Sequence, residues 1–213
     1  MSKKRTLKFV EIEDSNLINN LFDKNKNVTA VTGHYGNWEM FLAIPLLSSH
    51  QVLGVYKPLQ NKSFDKVFYK MRQKFGAIPV TMRDSYKTVL NYKQRNKLTL
   101  LGLIADQRPP KKGGHYWTKF LNQETAILLG PEKISKKLNV SVVFVYLEKI
   151  KRGKYILKTK LLFENANECA PYEITETHLH ILEKMIVDKP QYWLWSHKRW
   201  KHKRENNVVN IQH

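Results

Sequence analysis

The chain alternates compact apolar runs with stretches in which apolar residues return every three or four positions. Residues 28–32, 52–56, 77–80, 98–104 and 140–147 form short runs rich in Val, Ile and Leu, the length and make-up of buried strands. Between them, residues 37–47, 63–75, 84–92 and 131–138 carry helical periodicity. Within 63–75, Phe64, Val67, Phe68, Met71 and Phe75 keep helical spacing, and Gly76 supplies a stop. Gly130-Pro131 suits a helix entry, because proline is tolerated at a first helical position. A turn at Lys151-Arg152-Gly153 leads into Lys154–Phe163, which predicts an edge strand. Ile174, His178, Ile181, Leu182, Met185 and Ile186 then mark a final amphipathic helix. Alternation of this kind predicts a single α/β domain with a mainly parallel central sheet flanked by helices. The expected limits are a basic segment at 1–9, the domain at 10–204 and a disordered tail at 205–213, with no repeat or linker inside the domain.

Composition narrows the partners more than the fold. The 213 residues are 42% hydrophobic, enough for one substantial core. No apolar run approaches the roughly eighteen residues of a membrane-spanning helix. The basic start, Met1 to Arg5, lacks the apolar stretch of an export signal. The lone Cys169 excludes an internal disulfide and fits a reducing compartment. Against 18 acidic residues stand 37 Lys and Arg, a net charge of +19. An excess of that size points to an anionic partner: nucleic acid, a membrane surface with phosphorylated lipid, or a strongly acidic carrier protein. A merely solvated basic surface is the lesser alternative.

One motif carries chemistry. Gly33, His34, Tyr35, Gly36, Asn37, Trp38 and Glu39 follow directly on the apolar run at 28–32. Residues five apart are about 140° apart on an ideal helix and make poor partners within one. With His34 in the strand-to-helix turn and Glu39 in the first helical turn, the carboxylate reaches one ring nitrogen. The other nitrogen is then free to take a proton from a substrate, as in base-and-orienter pairs that activate a hydroxyl. His34 is therefore the candidate general base and Glu39 its orienter; Glu39 in a first helical turn also suits the helix dipole alone.

Further candidates lie downstream. Arg72 shares the apolar side of its helix, so its charge either snorkels to an edge or points into a site. Asp106 closes the run at 98–104, at the strand end where ligands bind in open parallel sheets, although a turn or cap role fits it as well. Gln107, Lys111 and Lys112 belong to the same loop. Residues 197–204 open on His197 and hold five permanent cations, Arg199 among them, with Trp200 interleaved. That pattern suits contact with phosphate or a membrane interface. His178 fits the apolar stripe, and His178 with His180 lacks a third ligand at metal spacing, so no metal is expected. No phosphate-binding glycine loop or Gly-x-Ser-x-Gly elbow occurs.

With these residues in view, the chain resembles the bacterial lipid A biosynthesis (lauroyl/myristoyl) acyltransferases, whose hallmark is a His-x4-Asp/Glu motif. His34-Tyr35-Gly36-Asn37-Trp38-Glu39 fits that setting at every position. Val55 to Pro58, Met71 to Gly76, Ala105-Asp106-Gln107 with Lys112-Gly113, and Tyr192 to Lys201 follow in the family's order, so the likeness runs from about residue 10 to about residue 204. The resemblance implies a glycerol-phosphate-acyltransferase-like fold. It also implies transfer of a fatty acyl chain from acyl carrier protein to a hydroxyl of a lipid A precursor, with no cofactor. It places Arg72 and Asp106 in the active-site pocket, and Gln107, Lys112, His197 and Arg199 join them as expected substrate contacts. The expected location is the cytoplasmic face of the bacterial inner membrane, held peripherally, because the family's N-terminal anchor region is missing ahead of His34. The competing expectations are another lipid acceptor (a lysophospholipid, an ornithine lipid or a glycolipid), a non-catalytic fragment, and a basic nucleic-acid-binding domain; the last leaves the motif unexplained, and no nucleic acid partner is expected.

Overall fold

A computed structural model describes residues 2–13, 16–110 and 116–204. Its centre is a seven-stranded sheet. In chain order the strands are β1 (Val10–Ile12), β2 (Val28–Thr32), β3 (Gln51–Tyr56), β4 (Ile78–Thr81) and β5 (Thr99–Ile104), followed after an interruption by β8 (Ser141–Lys151) and β9 (Lys154–Phe163). The spatial order is β1-β9-β8-β2-β5-β3-β4. Strands β8, β2, β5, β3 and β4 run parallel, and β9 turns back antiparallel on β8. β1 lies parallel to β9, so β9 is covered on both sides and is not the edge strand its sequence position predicts. Pairing of residues 10–12 across the sheet is a non-local feature that three residues cannot announce.

The interruption is a separate two-stranded hairpin, β6 (Tyr116–Phe120) with β7 (Gln123–Ile127), for which the sequence pattern offers no expectation. Its turn places Leu121 and Asn122 in the left-handed region without a glycine. Helices cover both faces. On one side lie α1 (Lys3–Phe9), α2 (Asn16–Asp23) and a 3-10 helix at Trp38–Leu46, packed over Val28, Ala30, Leu100, Val143 and Val145. On the other lie α4 (Ser85–Gln94), α5 (Gly130–Leu138) and α6 (Glu173–Asp188), over the alternate residues Leu101, Leu103, Val142 and Phe144. The two-residue period of the strands thus serves two cores, as expected when a parallel sheet is buried on both faces. Burying each large apolar side chain of this kind contributes about 1.5–3 kcal/mol.

The expected helices are present with telling differences. Residues 37–47 form a 3-10 helix rather than an α-helix, with no side-chain cap at Asn37 and Pro45 inside. Proline removes one donor and crowds the preceding turn, which disfavours regular α geometry there. Helix α3 (Lys62–Arg72) ends before the predicted limit, because Phe75 takes φ 66° and breaks the run ahead of Gly76. α5 begins at Gly130-Pro131, as its sequence predicts, and is closed by Asn139 at φ 47°. The N-terminal residues 3–9 form α1, with Ser2 Oγ accepting from the Arg5 amide. The tail at 205–213 lies outside the described residues.

Candidate active site

The site sits at the carboxyl edge of the parallel strands, and register explains its membership. β2 and β5 pair with Val31 opposite Leu103 and Thr32 opposite Ile104. The Ala105 amide donates to the Thr32 carbonyl at 2.9 Å, so the pairing runs one step further. The next residues out are His34 on one strand and Asp106 on the other. β5 also stands between β2 and β3, so the chain leaves β2 in one direction and β5 in another, opening a crevice at that edge.

Asp106 and His34 are locked together. The His34 Nδ1 lies 2.6 Å from Asp106 Oδ1, and the His34 amide donates to Oδ2 at 3.0 Å. The indole Nε1–H of Trp193 donates to the same Oδ2 at 2.9 Å. Burial by itself pushes the Asp106 carboxyl up. The bonds from the His34 ring, the Trp193 indole and the His34 amide, with the charge of His34, outweigh it and leave the group below its ordinary value. An ionised carboxylate only accepts, so Nδ1 carries the proton and Nε2 presents its lone pair. The aspartate side chain is 3% exposed and the imidazole 17%, so the pair is sealed on the aspartate side and open on the other.

The turn that carries His34 is held by the C-terminal segment. The Gly36 amide donates to Tyr192 O at 2.8 Å, and the Leu194 amide donates to His34 O at 3.1 Å. Tyr35 Oη donates to carbonyls at the end of α6, Met185 at 3.1 Å and Lys189 at 3.2 Å. Gly36 has φ +62°, and a β-carbon there would stand 3.2 Å from the Leu147 carbonyl, so both backbone and space call for glycine. Trp38 sets its ring edge-on to the imidazole, 5.3 Å between centroids.

Against the sequence expectations, the largest difference is the carboxylate. Glu39 is exposed in the first turn of the 3-10 helix, and the group bonded to the imidazole is Asp106. The left-handed step at Gly36 carries the chain away from the strand before Glu39 is reached. Gln107 approaches the open side of the ring, its amide nitrogen 3.5 Å from Nε2. Arg72 closes α3 with its guanidinium 5.3 Å from the Tyr56 ring and 5.6 Å from the Phe68 ring. Its Nη1 is buried without a partner among the described residues, and no hydrogen bond ties it to the His34–Asp106 pair. Lys112, with Lys111, falls outside the described residues.

His197 and Arg199 face inward. His197 Nε2 accepts the Arg108 amide at 3.2 Å, and Arg108 Nη1 donates to Lys198 O at 2.7 Å, which zips the tail to the loop after β5. Burial, then the charges of Arg108 and Arg199, hold His197 below its ordinary value. Arg199 is 3% exposed and donates from Nη2 to Ala126 O at 2.7 Å. Burial pulls its pKa down to about 10, which leaves it a cation at neutral pH. Trp200 donates to Thr125 Oγ1 at 2.8 Å and packs beside Trp193, so its indole is engaged within the fold. The residue that motif reading did not place in the site is Trp193. Its signal was a tryptophan recurring in a cationic tail, which names no partner.

Chemically, the arrangement is an oriented imidazole whose Nε2 faces the Gln107 amide at the mouth of a crevice, in a strongly basic protein. A family model described as bacterial lipid A biosynthesis acyltransferase matches residues 1–202. A search of curated proteins found no match. Among solved structures, the chain is similar to the crystal structure of the 1-acyl-sn-glycerophosphate (LPA) acyltransferase PlsC from Thermotoga maritima. The identity is 14% and the TM-score 0.48, over 89% of this chain and 78% of that one.

Proposed function

The chain belongs to the bacterial lipid A biosynthesis acyltransferase family, and from that premise we propose how its site moves an acyl chain to a lipid acceptor. The acceptor is a hydroxyl of a lipid A precursor, and the donor is an acyl thioester of acyl carrier protein. The observation that carries the reading is the His34–Asp106 pair, which turns Nε2 away from the carboxylate at the carboxyl edge of the sheet, with the Gln107 amide 3.5 Å from it.

In the proposed step, Nε2 takes the hydroxyl proton as the oxygen attacks the thioester carbonyl carbon. The C–O bond forms, the carbonyl oxygen becomes an oxyanion, and the tetrahedral species collapses by breaking the C–S bond. The departing thiolate recovers the proton from Nε2, so His34 ends as it began. Asp106 fixes the tautomer and stabilises the imidazolium while it exists. Arg72, whose Nη1 has no described partner, is proposed to meet the oxyanion or an acceptor phosphate. Gln107 lines the approach to Nε2, Lys112 and Arg199 add positive potential, and His197, uncharged as the acceptor of the Arg108 amide, holds the loop after β5 in place. Glu39 is proposed to act at the mouth, from its exposed place in the same turn. The net charge of +19 suits both a phosphorylated lipid and an acidic carrier protein. Among the described residues no helix is long and apolar enough to cross a membrane, which is compatible with peripheral action.

The test is acyl transfer from carrier-protein thioesters, with coenzyme A thioesters in parallel, to a lipid A precursor in detergent. Transfer by wild type and a loss of about 10²–10⁴-fold in His34→Ala supports the assignment. Equal rates in both proteins remove His34 as the base. Transfer to lysophospholipid alone replaces the acceptor and keeps the chemistry.

A further inference from the structure

Helix α3 is the element that the core leaves uncovered. It runs eleven residues, and none of them is buried. Phe64 is 60% exposed and Val67 63%, on adjoining positions of one face, and Leu59 just ahead of the helix is 39% exposed. Other exposed large apolar residues, such as Leu7, Ile150 and Val187, are scattered singly along the chain. Isolated exposed apolar groups are normal; three within nine residues call for an occupant.

The helix is nonetheless firmly built. Asn61 Oδ1 accepts the amides of Ser63 and Phe64, and Asp65 Oδ1 accepts the Leu59 amide at 2.8 Å. Capping thus holds the first turn without burial, and the apolar face stays presented. The opposite face is cationic. Lys62, Lys66 and Lys70 recur every fourth position, roughly 130° round the helix from Phe64 and Val67. Residues 57–74 hold six cations, with Lys57, Arg72 and Lys74 added to those three, against the single acid Asp65. An apolar stripe with lysines along the polar face is the make-up of a helix lying in a membrane interface. The lysine stems reach up to anionic headgroups while the apolar groups enter the acyl boundary.

Position links this helix to the site. β3 runs parallel to β2 and β5, so Tyr56 ends it at the same carboxyl edge that carries His34 and Asp106. The five residues that follow lead from that edge into α3. At the other end of α3, Arg72 returns over Tyr56.

We propose that α3 is a membrane-docking helix, with Phe64 and Val67 entering an anionic bilayer and Lys62, Lys66 and Lys70 held at its headgroups. Docking by this helix turns the carboxyl edge of the sheet toward the layer in which a lipid acceptor lies. The inference extends the lipid-acceptor reading above, yet its test needs no turnover.

The full chain is floated with vesicles of phosphatidylglycerol mixed with phosphatidylethanolamine, and with vesicles of phosphatidylcholine alone. Wild type should bind the anionic vesicles, and a fraction should survive about 0.5 M salt, where surface attraction is largely screened. The double variant Phe64→Ser/Val67→Ser should lose that salt-resistant fraction, with partitioning down about tenfold or more. Lys62→Gln/Lys66→Gln/Lys70→Gln should weaken binding at low salt. Both variants should keep the wild-type melting midpoint, since they alter exposed positions. Unchanged vesicle binding by the double-serine variant overturns the proposal, and so does complete release of wild type by salt. Vesicle binding that follows the proposal in a protein that transfers no acyl group would defeat the proposed reaction and leave this inference standing.

Discussion

Two segments of this protein mix lysine, arginine and aromatic residues, and they meet opposite fates. The tail from Trp193 to Arg204 turns three side chains inward: Trp193 is 6% exposed, Arg199 3%, and the indoles of Trp193 and Trp200 donate to Asp106 and Thr125, while Trp195 stays 53% exposed. Helix α3 turns outward, with Phe64 and Val67 more than half exposed. Composition does not separate them. The difference is that the indoles of Trp193 and Trp200 meet acceptors on the loop after β5 and on β7, whereas Trp195, bonded to the nearby Pro190 carbonyl, stays outside. The apolar groups of α3 have no polar handle and face no wall of the core. One cationic aromatic segment therefore supports the site, while the other is left available to a partner.

Breaking the inward half should cost the most. Asp106→Asn keeps the shape of the site but permits the wrong imidazole tautomer, so kcat should fall by about 10³-fold in protein that remains folded. Glu39→Gln in the same assay should cost much less; a larger loss for Glu39 than for Asp106 would reverse the assignment of the orienter.

Acid should strike the packed side next. His178 on α6 is completely buried, its Nε2 has no partner among the described residues, and burial lowers its pKa to about 4 despite the charge of Asp106. The unfolded chain then binds the extra proton between about pH 6.5 and pH 4, so stability from this group is full above 6.5 and drains as pH falls. The loss is about 3 kcal/mol by pH 4. Asp106, held below its ordinary value, adds its own loss only at lower pH, as the carboxylate is protonated. Denaturant unfolding of wild type and His178→Leu across that range checks this: the variant should be the less acid-sensitive.

Trp193→Phe keeps a ring in the site but removes a hydrogen bond to an ionised group, a cost of at least about 1.5–3 kcal/mol read as a lower melting midpoint. The freed Asp106 should also lose part of its hold on the His34 ring, lowering kcat by about tenfold with KM little changed. The smallest effect belongs to the outward half. Phe64→Ser/Val67→Ser should shift unfolding by no more than about 0.5 kcal/mol and leave transfer to a detergent-dispersed acceptor at wild-type rate. A large stability loss there would mean that α3 packs more than it shows.

Much of the frame was legible because periodicity reports burial. Five strands of the parallel sheet, α5 and α6 lie within a residue or two of their predicted limits, apart from the carboxyl extension of β8. What periodicity cannot carry is pairing. β1 is three residues long and gains its place only from β9, and the β6–β7 hairpin owes its turn to Leu121 and Asn122 in strained conformations that no glycine announces. The site followed the same division. His34 and Asp106 stood out singly, one by its motif and one by its place at a strand end. Their union depends on β5 lying in register against β2, a fact of strand order rather than of local pattern. Glu39 was close in sequence and therefore drew the expectation; the turn at Gly36 undid it.

Register has a consequence in time. His34 and Asp106 are 72 residues apart in the chain, and β5 must enter between β2 and β3, which precede it. Closing so long a loop into a parallel pair is among the slower events of folding. A chain slipped by one residue on β5 would keep its helices and most of its sheet, yet present the wrong neighbour to the imidazole. Recovered catalysis after dilution from denaturant thus counts only correctly threaded molecules, and it should trail the return of helical signal.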